Sequence, residues 1–412
     1  MLSTAANAGL GLVFWIAAAR LYPAPVLGAG AGGISALQLA GAIGWLGLQF
    51  TLMRYAPIAG KQRRRLIGTV YTVGSTAGAL TAVVFLLVLA RSLRLEYLTA
   101  SFLSGLVFCA GVATWVMFSL QDAALVGIRR AGLVPIENAG YGVVKLAALV
   151  ALATLARPWT ILGVWMGGAT LLTAIVSVLL FGSLLRNDDE TARLPRMAMI
   201  AKFSVGHTAV ALTAWVPDLL VPLLVLRYAG ESANAHYYAA WTIGFSARLL
   251  AANMANALTV EASYGEISTS ELLRSIVRLS VVVITPVILV LEIGAGFVLR
   301  IFGHGYAITA APLLRYFALS LIPSTVVAFV VAVERVHERF GAALLITAFA
   351  TVSTLALDLI ILPRLGITGA GIAWLIGQAG AAVLALATFD WTRRTRFGPS
   401  TAVEGFGETP TV

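Results

Sequence analysis

The segment TVYTVGSTAGALTAVVFLLVLA, residues 69–90, carries no charged side chain along its 22 residues. In helical form, about 20 apolar residues cross the hydrocarbon core of a bilayer. A second uncharged run covers Val281–Leu291. Because the strands of membrane β-barrels alternate apolar and polar residues, such continuous runs predict transmembrane α-helices.

The composition of the whole chain supports this interpretation. The 412 residues are 59% hydrophobic and 11% charged, with a mean hydropathy of +0.92, whereas soluble domains contain about 25% charged residues. A net charge of +10 would favour nucleic-acid binding in a soluble protein, but in a membrane protein basic residues mark cytoplasmic loops. We therefore predict an all-α, polytopic membrane protein without a nucleic-acid partner.

The sequence lacks the signatures of metal and cofactor chemistry. Its single cysteine, Cys109, excludes an internal disulfide and a cysteine-ligated metal site. The four histidines lack the spacing of metal ligands, and no P-loop is present. We expect no metal, no cofactor and no catalytic residue, and therefore a protein that is not an enzyme.

Apolar segments recur along the chain and predict about twelve spans. These cover residues 4–20, 33–56, 67–90, 99–120, 136–156, 160–184, 203–227, 236–260, 276–299, 311–333, 341–362 and 367–389.

Basic residues predict the orientation of these spans. With the N-terminus in the cytoplasm, 18 of the 28 lysines and arginines fall in cytoplasmic segments and seven in outside loops. This asymmetry favours cytoplasmic N- and C-termini and an even number of spans. We expect a bacterial cytoplasmic (inner) membrane protein, monomeric among the membrane lipids.

Two pairs of arginines indicate an internal repeat. Arg227 lies 207 residues after Arg20, and Arg364 lies 207 residues after Arg157, at matching ends of spans. The chain therefore divides into two six-helix lobes around a central cavity, the architecture of alternating-access transporters. We predict an N-terminal lobe at 1–190, a C-terminal lobe at 191–390 and a disordered cytoplasmic tail at 391–412.

Lys145 lies near the predicted midplane of the fifth span. Glu137, Asn138 and Tyr141 precede it at spacings that place all four on one broad helical face. Ionisable groups inside a membrane face an interior or a water-filled cavity. Lys145 and Tyr141 are therefore candidate substrate-binding residues; a salt bridge between helices is the alternative for Lys145.

Arg248 lies near the midplane of the eighth span, with Asn256 two helical turns later on the same face. Arginine stays protonated and binds phosphate with two parallel hydrogen bonds. Both residues are candidates to line a substrate cavity. The alternative for Arg248 is a buried ion pair with Asp218 or Glu292.

Asp218 and Glu292 lie in the outer halves of the seventh and ninth spans. They are candidate sites for a coupling proton or sodium ion, or counter-ions of the basic residues. Asp358 and Arg315 are expected to reach the interface from outer helix ends.

Arg20 and Arg54 lie at the ends of the first and second spans, in the half opposite Arg248. A cavity between the halves would then carry cations from both sides. Such a cavity suits an anionic ligand, and a pyrophosphate group fits that description, because a low dielectric strengthens each attraction.

Four segments resemble the bacterial polysaccharide and O-antigen flippases of the multidrug/oligosaccharidyl-lipid/polysaccharide exporter superfamily. They are ARLYPAPVLGAGAGGISALQLAGAIGWLGLQFTLMRYAP at 19–57, YYAAWTIGFSARLLAANMANAL at 237–258, VLRIFGHGYAITAAPLLRYFALSLIP at 298–323 and ILPRLGITGAGIAWLIGQ at 361–378.

This resemblance implies a flippase that moves an undecaprenyl-pyrophosphate-linked oligosaccharide to the outer leaflet by alternating access. In related lipid II flippases, arginines on helices one, two and eight are implicated in diphosphate binding. By helix position, Arg20, Arg54 and Arg248 are the nearest counterparts in this sequence.

Two other functions remain open. An ion-coupled multidrug antiporter shares the fold, but it is expected to carry an acidic residue deep in its first lobe, and spans one to three contain neither Asp nor Glu. A membrane-embedded polysaccharide polymerase or glycosyltransferase is the enzyme alternative. Such enzymes usually need a sizeable extramembrane loop, and the predicted outside loops are only a few residues long.

Overall fold

The computed structural model describes residues 2–45, 47–185, 197–263, 280–336 and 339–389, together with Arg274 and Arg278. This described part of the chain is helical and contains no β-strand. Its helices are α1 Leu2–Leu21, α2 Ala24–Trp45, α3 Leu48–Tyr55, α4 Arg63–Val88, α5 Phe102–Gly127, α6 Val134–Ala151, α7 Pro158–Leu179, α8 Met197–Ala229, α9 Glu231–Ser263, α10 Thr285–Leu299, α11 His304–Thr309, α12 Ala311–Val336 and α13 Phe340–Thr388.

Short turns extend several of these helices. They are the 3₁₀ segments Ala56–Ile58, Gly60–Gln62, Glu96–Leu98 and Ala131–Leu133, and the π-helical segments Leu180–Leu184 and Ser280–Ile284.

The predicted all-α membrane class is confirmed. Within the described ranges, nine helices are long and apolar enough to cross a bilayer. The longest of them, α13, has 49 residues and is interrupted at Gly366, where φ is 58° and ψ is −146°. Glycine adopts such a left-handed backbone without a steric penalty. Helix α13 therefore supplies two spans, and α2 and α3 together supply one.

The second span begins earlier than the sequence predicted. Residues 24–33 belong to α2, although the predicted span started at residue 33. The glycines of this segment face other helices at close range. A Cβ atom built on Gly28 would lie 1.7 Å from the carbonyl oxygen of Glu231. The small residues thus permit close helix packing, as they commonly do in membranes.

Helix α2 joins the two halves of the chain along its length. Towards its start, the amide of Asn234 on α9 donates to the Gly28 carbonyl oxygen at 2.8 Å, and Tyr238 Oη donates to the Ala31 carbonyl oxygen at 3.0 Å. Beyond its end, the Thr51 and Ser204 hydroxyls share a hydrogen bond. The halves therefore contact each other at both ends of α2 and α3.

We predict that Gly28→Ala disrupts this contact. The new methyl group would collide with backbone, which cannot rotate away, and overpacking of this kind costs about 1–3 kcal/mol. The matched control is Gly167→Ala on α7, where a Cβ atom would have no heavy atom within 4 Å. The measurement is the thermal unfolding midpoint in detergent. Equal midpoints for the two variants would contradict the proposed close contact.

Candidate functional site

A cavity of about 260 Å³ lies within the second half of the chain. Helices α8, α9, α12 and α13 supply its walls. Its aromatic side chains are Trp215, Phe245 and Trp374, and its charged side chains are Asp218 and Arg248. The cavity thus combines a largely apolar wall with one pair of opposite charges, the usual character of a small-molecule site.

Arg248 and Asp218 form an ion pair, with 2.5 Å between Nη2 and Oδ1. The Asp218 side chain is only 4% exposed, whereas that of Arg248 is 22% exposed. The guanidinium carbon lies 4.8 Å from the ring centroid of Trp374 and 5.2 Å from that of Phe245. Arg248 is therefore fixed by a carboxylate and two aromatic rings while part of it stays accessible.

Pro217 explains the polar contacts on the neighbouring wall. A proline within a helix cannot donate a hydrogen bond to the carbonyl four residues earlier, here that of Thr213. The Thr351 hydroxyl of α13 donates to this carbonyl oxygen instead. The Thr213 and Thr347 hydroxyls are 2.8 Å apart. The part of α8 around Pro217 is thus tied to α13 beside the Asp218–Arg248 pair.

Lys145 lies in the first half, in a cluster of aromatic rings. Its side chain is 6% exposed. Its Nζ atom lies 4.0 Å from the ring centroid of Trp165, 4.6 Å from that of Tyr141 and 5.0 Å from that of Phe14. Tyr141 and Lys145 therefore share a buried face of α6, as their spacing predicted, but neither lines the second-half cavity.

Arg20 and Arg54 also lie outside this cavity. Arg20 donates from Nε to the Ile301 carbonyl oxygen at 2.9 Å and from Nη2 to the Arg300 carbonyl oxygen at 2.8 Å. It therefore caps the C-terminal end of α10, where a cation is favourable. Arg54 is exposed and lies near the Tyr55 ring. Of the four predicted cations, only Arg248 lines the described cavity.

The remaining predicted residues have different surroundings. Asp218 is the counter-ion of Arg248, which was one of its two predicted roles. Glu292 is half-buried, and its Oε1 atom has no hydrogen-bond partner among the described residues. Asn256 belongs to α9, but its side chain lies outside the described residues, as do the predicted tail at 391–412 and the boundary between the predicted lobes at 186–196.

The expectation that Asp358 reaches the interface is wrong. Its side chain is 0% exposed, and neither carboxylate oxygen has a described partner. The Thr354 side chain, one turn earlier, is equally buried, and Gly377 packs directly against it. The two parts of α13 therefore enclose this face. Thr351, Thr354 and Asp358 are three and four residues apart, which places them on one helical face. This spacing is a sequence signal for a buried polar stripe.

Gln378 lines the cavity as well. Arg315 is exposed, in agreement with its predicted place at a helix end. No group of three or more metal-ligand side chains was found in the described part of the chain.

Comparison with known proteins supports the fold. No protein-family model and no curated protein sequence matches this chain. The solved structure of lipid II flippase MurJ, in an inward closed conformation, is similar over 94% of this chain and 86% of its own, with 12% identity and a TM-score of 0.75. An inward-facing multidrug resistance MATE family transporter of the MOP superfamily is 16% identical, with a TM-score of 0.69 and 92% coverage of both chains.

A third similar structure is a MOP superfamily transporter from Pyrococcus furiosus whose binding pocket is described as having reverse polarity. It is 15% identical to this chain, with a TM-score of 0.63 and coverage of 94% of this chain and 92% of its own. At these identities the similarity establishes a shared fold, with two lobes of membrane-spanning helices.

We predict that Arg248→Ala is strongly destabilising, because it leaves the buried Asp218 carboxylate without its counter-ion. Breaking a buried pair costs about 3–5 kcal/mol, whereas apolar replacement of both partners is often neutral. The double variant Arg248→Met/Asp218→Leu should therefore unfold at a higher temperature than Arg248→Ala. Arg364→Ala, at an exposed position, serves as the control and should match the wild type. A double variant less stable than Arg248→Ala would argue against this account of the pair.

Proposed function

We propose that this protein is an alternating-access flippase that moves an undecaprenyl-pyrophosphate-linked oligosaccharide across a bacterial cytoplasmic membrane for cell-surface polysaccharide synthesis. The observation that carries the proposal is the partly exposed guanidinium of Arg248 in a membrane-embedded cavity. A guanidinium matches the geometry of a phosphate group and stays charged in an apolar environment.

The fold of the similar structures supports the transport class. One of them is a flippase for lipid II, which is a different cargo, and MATE transporters occur in both inward-facing and outward-facing conformations. We infer the same alternation here, between an N-terminal lobe at 1–190 and a C-terminal lobe at 191–390. The distribution of basic residues supports our proposal that both termini lie in the cytoplasm, and we expect the protein to act as a monomer.

The other predicted cations have supporting roles in this proposal. Lys145 would supply positive charge from the first lobe once the lobes separate, with Tyr141 beside it. Arg20 and Arg54 lie at opposite ends of the predicted path, where they could attract the headgroup before and after passage. Asn256, which the sequence places two helical turns after Arg248, is a further candidate binding residue in this proposal. Unlike Lys145, Arg20 and Arg54, Arg248 lines the described cavity in this structure.

The same ion pair suggests a place for coupling to an ion gradient. A pyrophosphate that binds the Arg248 guanidinium would leave the Asp218 carboxylate without its counter-ion. The Asp218 side chain is only 4% exposed. An uncompensated buried charge costs several kcal/mol, and a proton or a sodium ion would remove that cost. We therefore propose Asp218 as the principal coupling residue, with Glu292 and the enclosed Asp358 as further candidates.

We expect Arg248→Ala to abolish flipping and Arg248→Lys to retain part of it, because lysine keeps the charge but loses the paired donors. A deletion strain should accumulate lipid-linked oligosaccharide on the cytoplasmic side. Complementation with each variant, normalised to protein level in the membrane, provides the measurement. Lys145→Ala tests the first lobe, and Arg91→Ala, an exposed arginine, is the control. Full rescue by both Arg248→Ala and Lys145→Ala would refute the cationic cavity.

An ion-coupled multidrug antiporter is the second candidate function. The three aromatic rings of the cavity and the Asp218 carboxylate could together hold a lipophilic cation, because aromatic faces attract cations. Membrane-embedded polymerases and glycosyltransferases rank third, since the similar structures named above are transporters.

Ethidium efflux from proteoliposomes separates the first two functions. A flippase should show no efflux driven by an imposed proton or sodium gradient. An antiporter should show efflux that rises when Arg248→Met removes the competing positive charge. Gradient-driven efflux by the wild type, without any effect on lipid-linked oligosaccharide, would favour the antiporter and contradict the proposed cargo.

A further inference from the structure

Two connections of the first lobe carry only basic charge. They join α3 to α4 and α5 to α6, and residues 54–65 and 128–133 contain no Asp or Glu. Their basic side chains are Arg54, Lys61, Arg63, Arg64, Arg65, Arg129 and Arg130. Asp122 and Glu137 flank the second connection but belong to α5 and α6, and the Glu137 side chain is only 4% exposed.

The other segments on the predicted cytoplasmic side carry both signs of charge. Residues 186–202 contain three acidic and four basic residues, residues 261–278 three and two, and residues 334–339 two of each. Orientation in a membrane depends on Lys and Arg, and acidic residues contribute little to it. Membrane topology therefore does not explain why acidic residues are absent from the two first-lobe connections.

The two connections lie side by side. A Cβ atom built on Gly127, at the end of α5, would lie 2.7 Å from the Leu52 carbonyl oxygen and 2.8 Å from the Ala56 Cβ atom. Arg129 and Arg130 follow Gly127 directly in the chain. The close packing of α5 against the end of α3 therefore brings the basic residues of both connections to one end of the first lobe.

Arg63 fixes the shape of the connection between α3 and α4. This half-buried side chain donates from Nε to the Ala56 carbonyl oxygen at 2.7 Å and from Nη2 to the Pro57 carbonyl oxygen at 3.3 Å. The Arg64 guanidinium carbon lies 5.9 Å from the Phe181 ring centroid, beside the end of α7. The other basic side chains of the two connections are exposed, and together we call them the basic face: Arg54, Lys61, Arg64, Arg65, Arg129 and Arg130.

Exposed apolar side chains accompany the basic face in both connections and at the adjoining helix ends. They are Met53, Ile58, Val126, Leu133 and Ile136. Basic and apolar side chains together are typical of segments at a membrane interface, where apolar groups reach the acyl chains and cations attract anionic lipids. This composition favours a lipid over a soluble acidic protein as the partner.

We propose that the basic face binds the headgroups of anionic phospholipids. Each Lys or Arg near an anionic membrane surface strengthens the attraction about fivefold. The face would hold the first lobe to the anionic lipids of its leaflet, which the mixed charges of the second-lobe connections would do less well. This role goes beyond the proposed transport activity and does not depend on the identity of the cargo.

Titration of the purified full-length protein in detergent with fluorescently labelled phosphatidylglycerol tests this face. Arg129→Gln/Arg130→Gln should weaken binding at least tenfold. Arg91→Gln/Arg157→Gln removes two exposed arginines from predicted outside loops; it is the matched control and should bind as the wild type. Unlabelled phosphatidylglycerol should displace the label, whereas phosphatidylcholine should not. Because salt screens exposed charges, binding should weaken as the ionic strength rises.

Lys61→Gln/Arg64→Gln/Arg65→Gln tests the other connection and should also weaken binding at least tenfold. Both variants keep Arg54, the residue of the face that is also a candidate for cargo binding. Wild-type affinity for phosphatidylglycerol in both variants would overturn the proposed face. That result would leave the flippase proposal intact, because flipping is measured separately through lipid-linked oligosaccharide. Equal displacement by phosphatidylcholine, or binding of polyglutamate in place of phosphatidylglycerol, would also overturn the proposed face.

Discussion

The bilayer offers no hydrogen bonds to the backbone, and this constraint shapes the structure at Pro217 in α8 and at Gly366 in α13. Backbone polar groups in the hydrocarbon region must be satisfied within the protein. Pro217 removes one donor from α8, and the Thr351 hydroxyl replaces it at the Thr213 carbonyl oxygen. The break in α13 falls on Gly366, which has a positive φ. A residue with a Cβ atom would adopt this backbone conformation only at a steric cost. The interruption beside the cavity thus has a specific polar partner, which also binds α8 to α13.

The same constraint sets how the two lobes meet. Between two helices in a membrane, association depends on close packing and on hydrogen bonds rather than on the hydrophobic effect. At Gly28 the backbones of α2 and α9 approach closely enough for Asn234 and Tyr238 to donate to carbonyl oxygens of α2. Separation of α2 from α9 would expose the Asn234 and Tyr238 donors and the carbonyl oxygens that accept from them. Contacts of this kind are strong while formed, and water could satisfy the same polar groups if the lobes separated.

Sequence reasoning was sufficient for the fold class but not for the environment of individual residues. Long uncharged runs report membrane spans directly, because each must match the bilayer thickness. The start of α2 was misplaced because glycine is typical of turns and loops in water but of close helix contacts in lipid. Asp358 was misjudged because depth along a helix does not reveal which face its neighbours cover. The partner of Arg248 was one of two open alternatives, and only the tertiary structure could decide between Asp218 and Glu292.

The two lobes share a helical plan but not a charge pattern. If the 207-residue offset between Arg20 and Arg227 relates the lobes, then neither Lys145 nor Arg248 has a basic counterpart at the matching position. In the second lobe the base is paired with a carboxylate and partly accessible, whereas in the first lobe the base is enclosed by aromatic rings. An anion entering between the lobes would therefore meet an available guanidinium on one side and a shielded amine on the other. The two lobes therefore present different electrostatic environments to an entering anion, which two electrostatically identical lobes could not do.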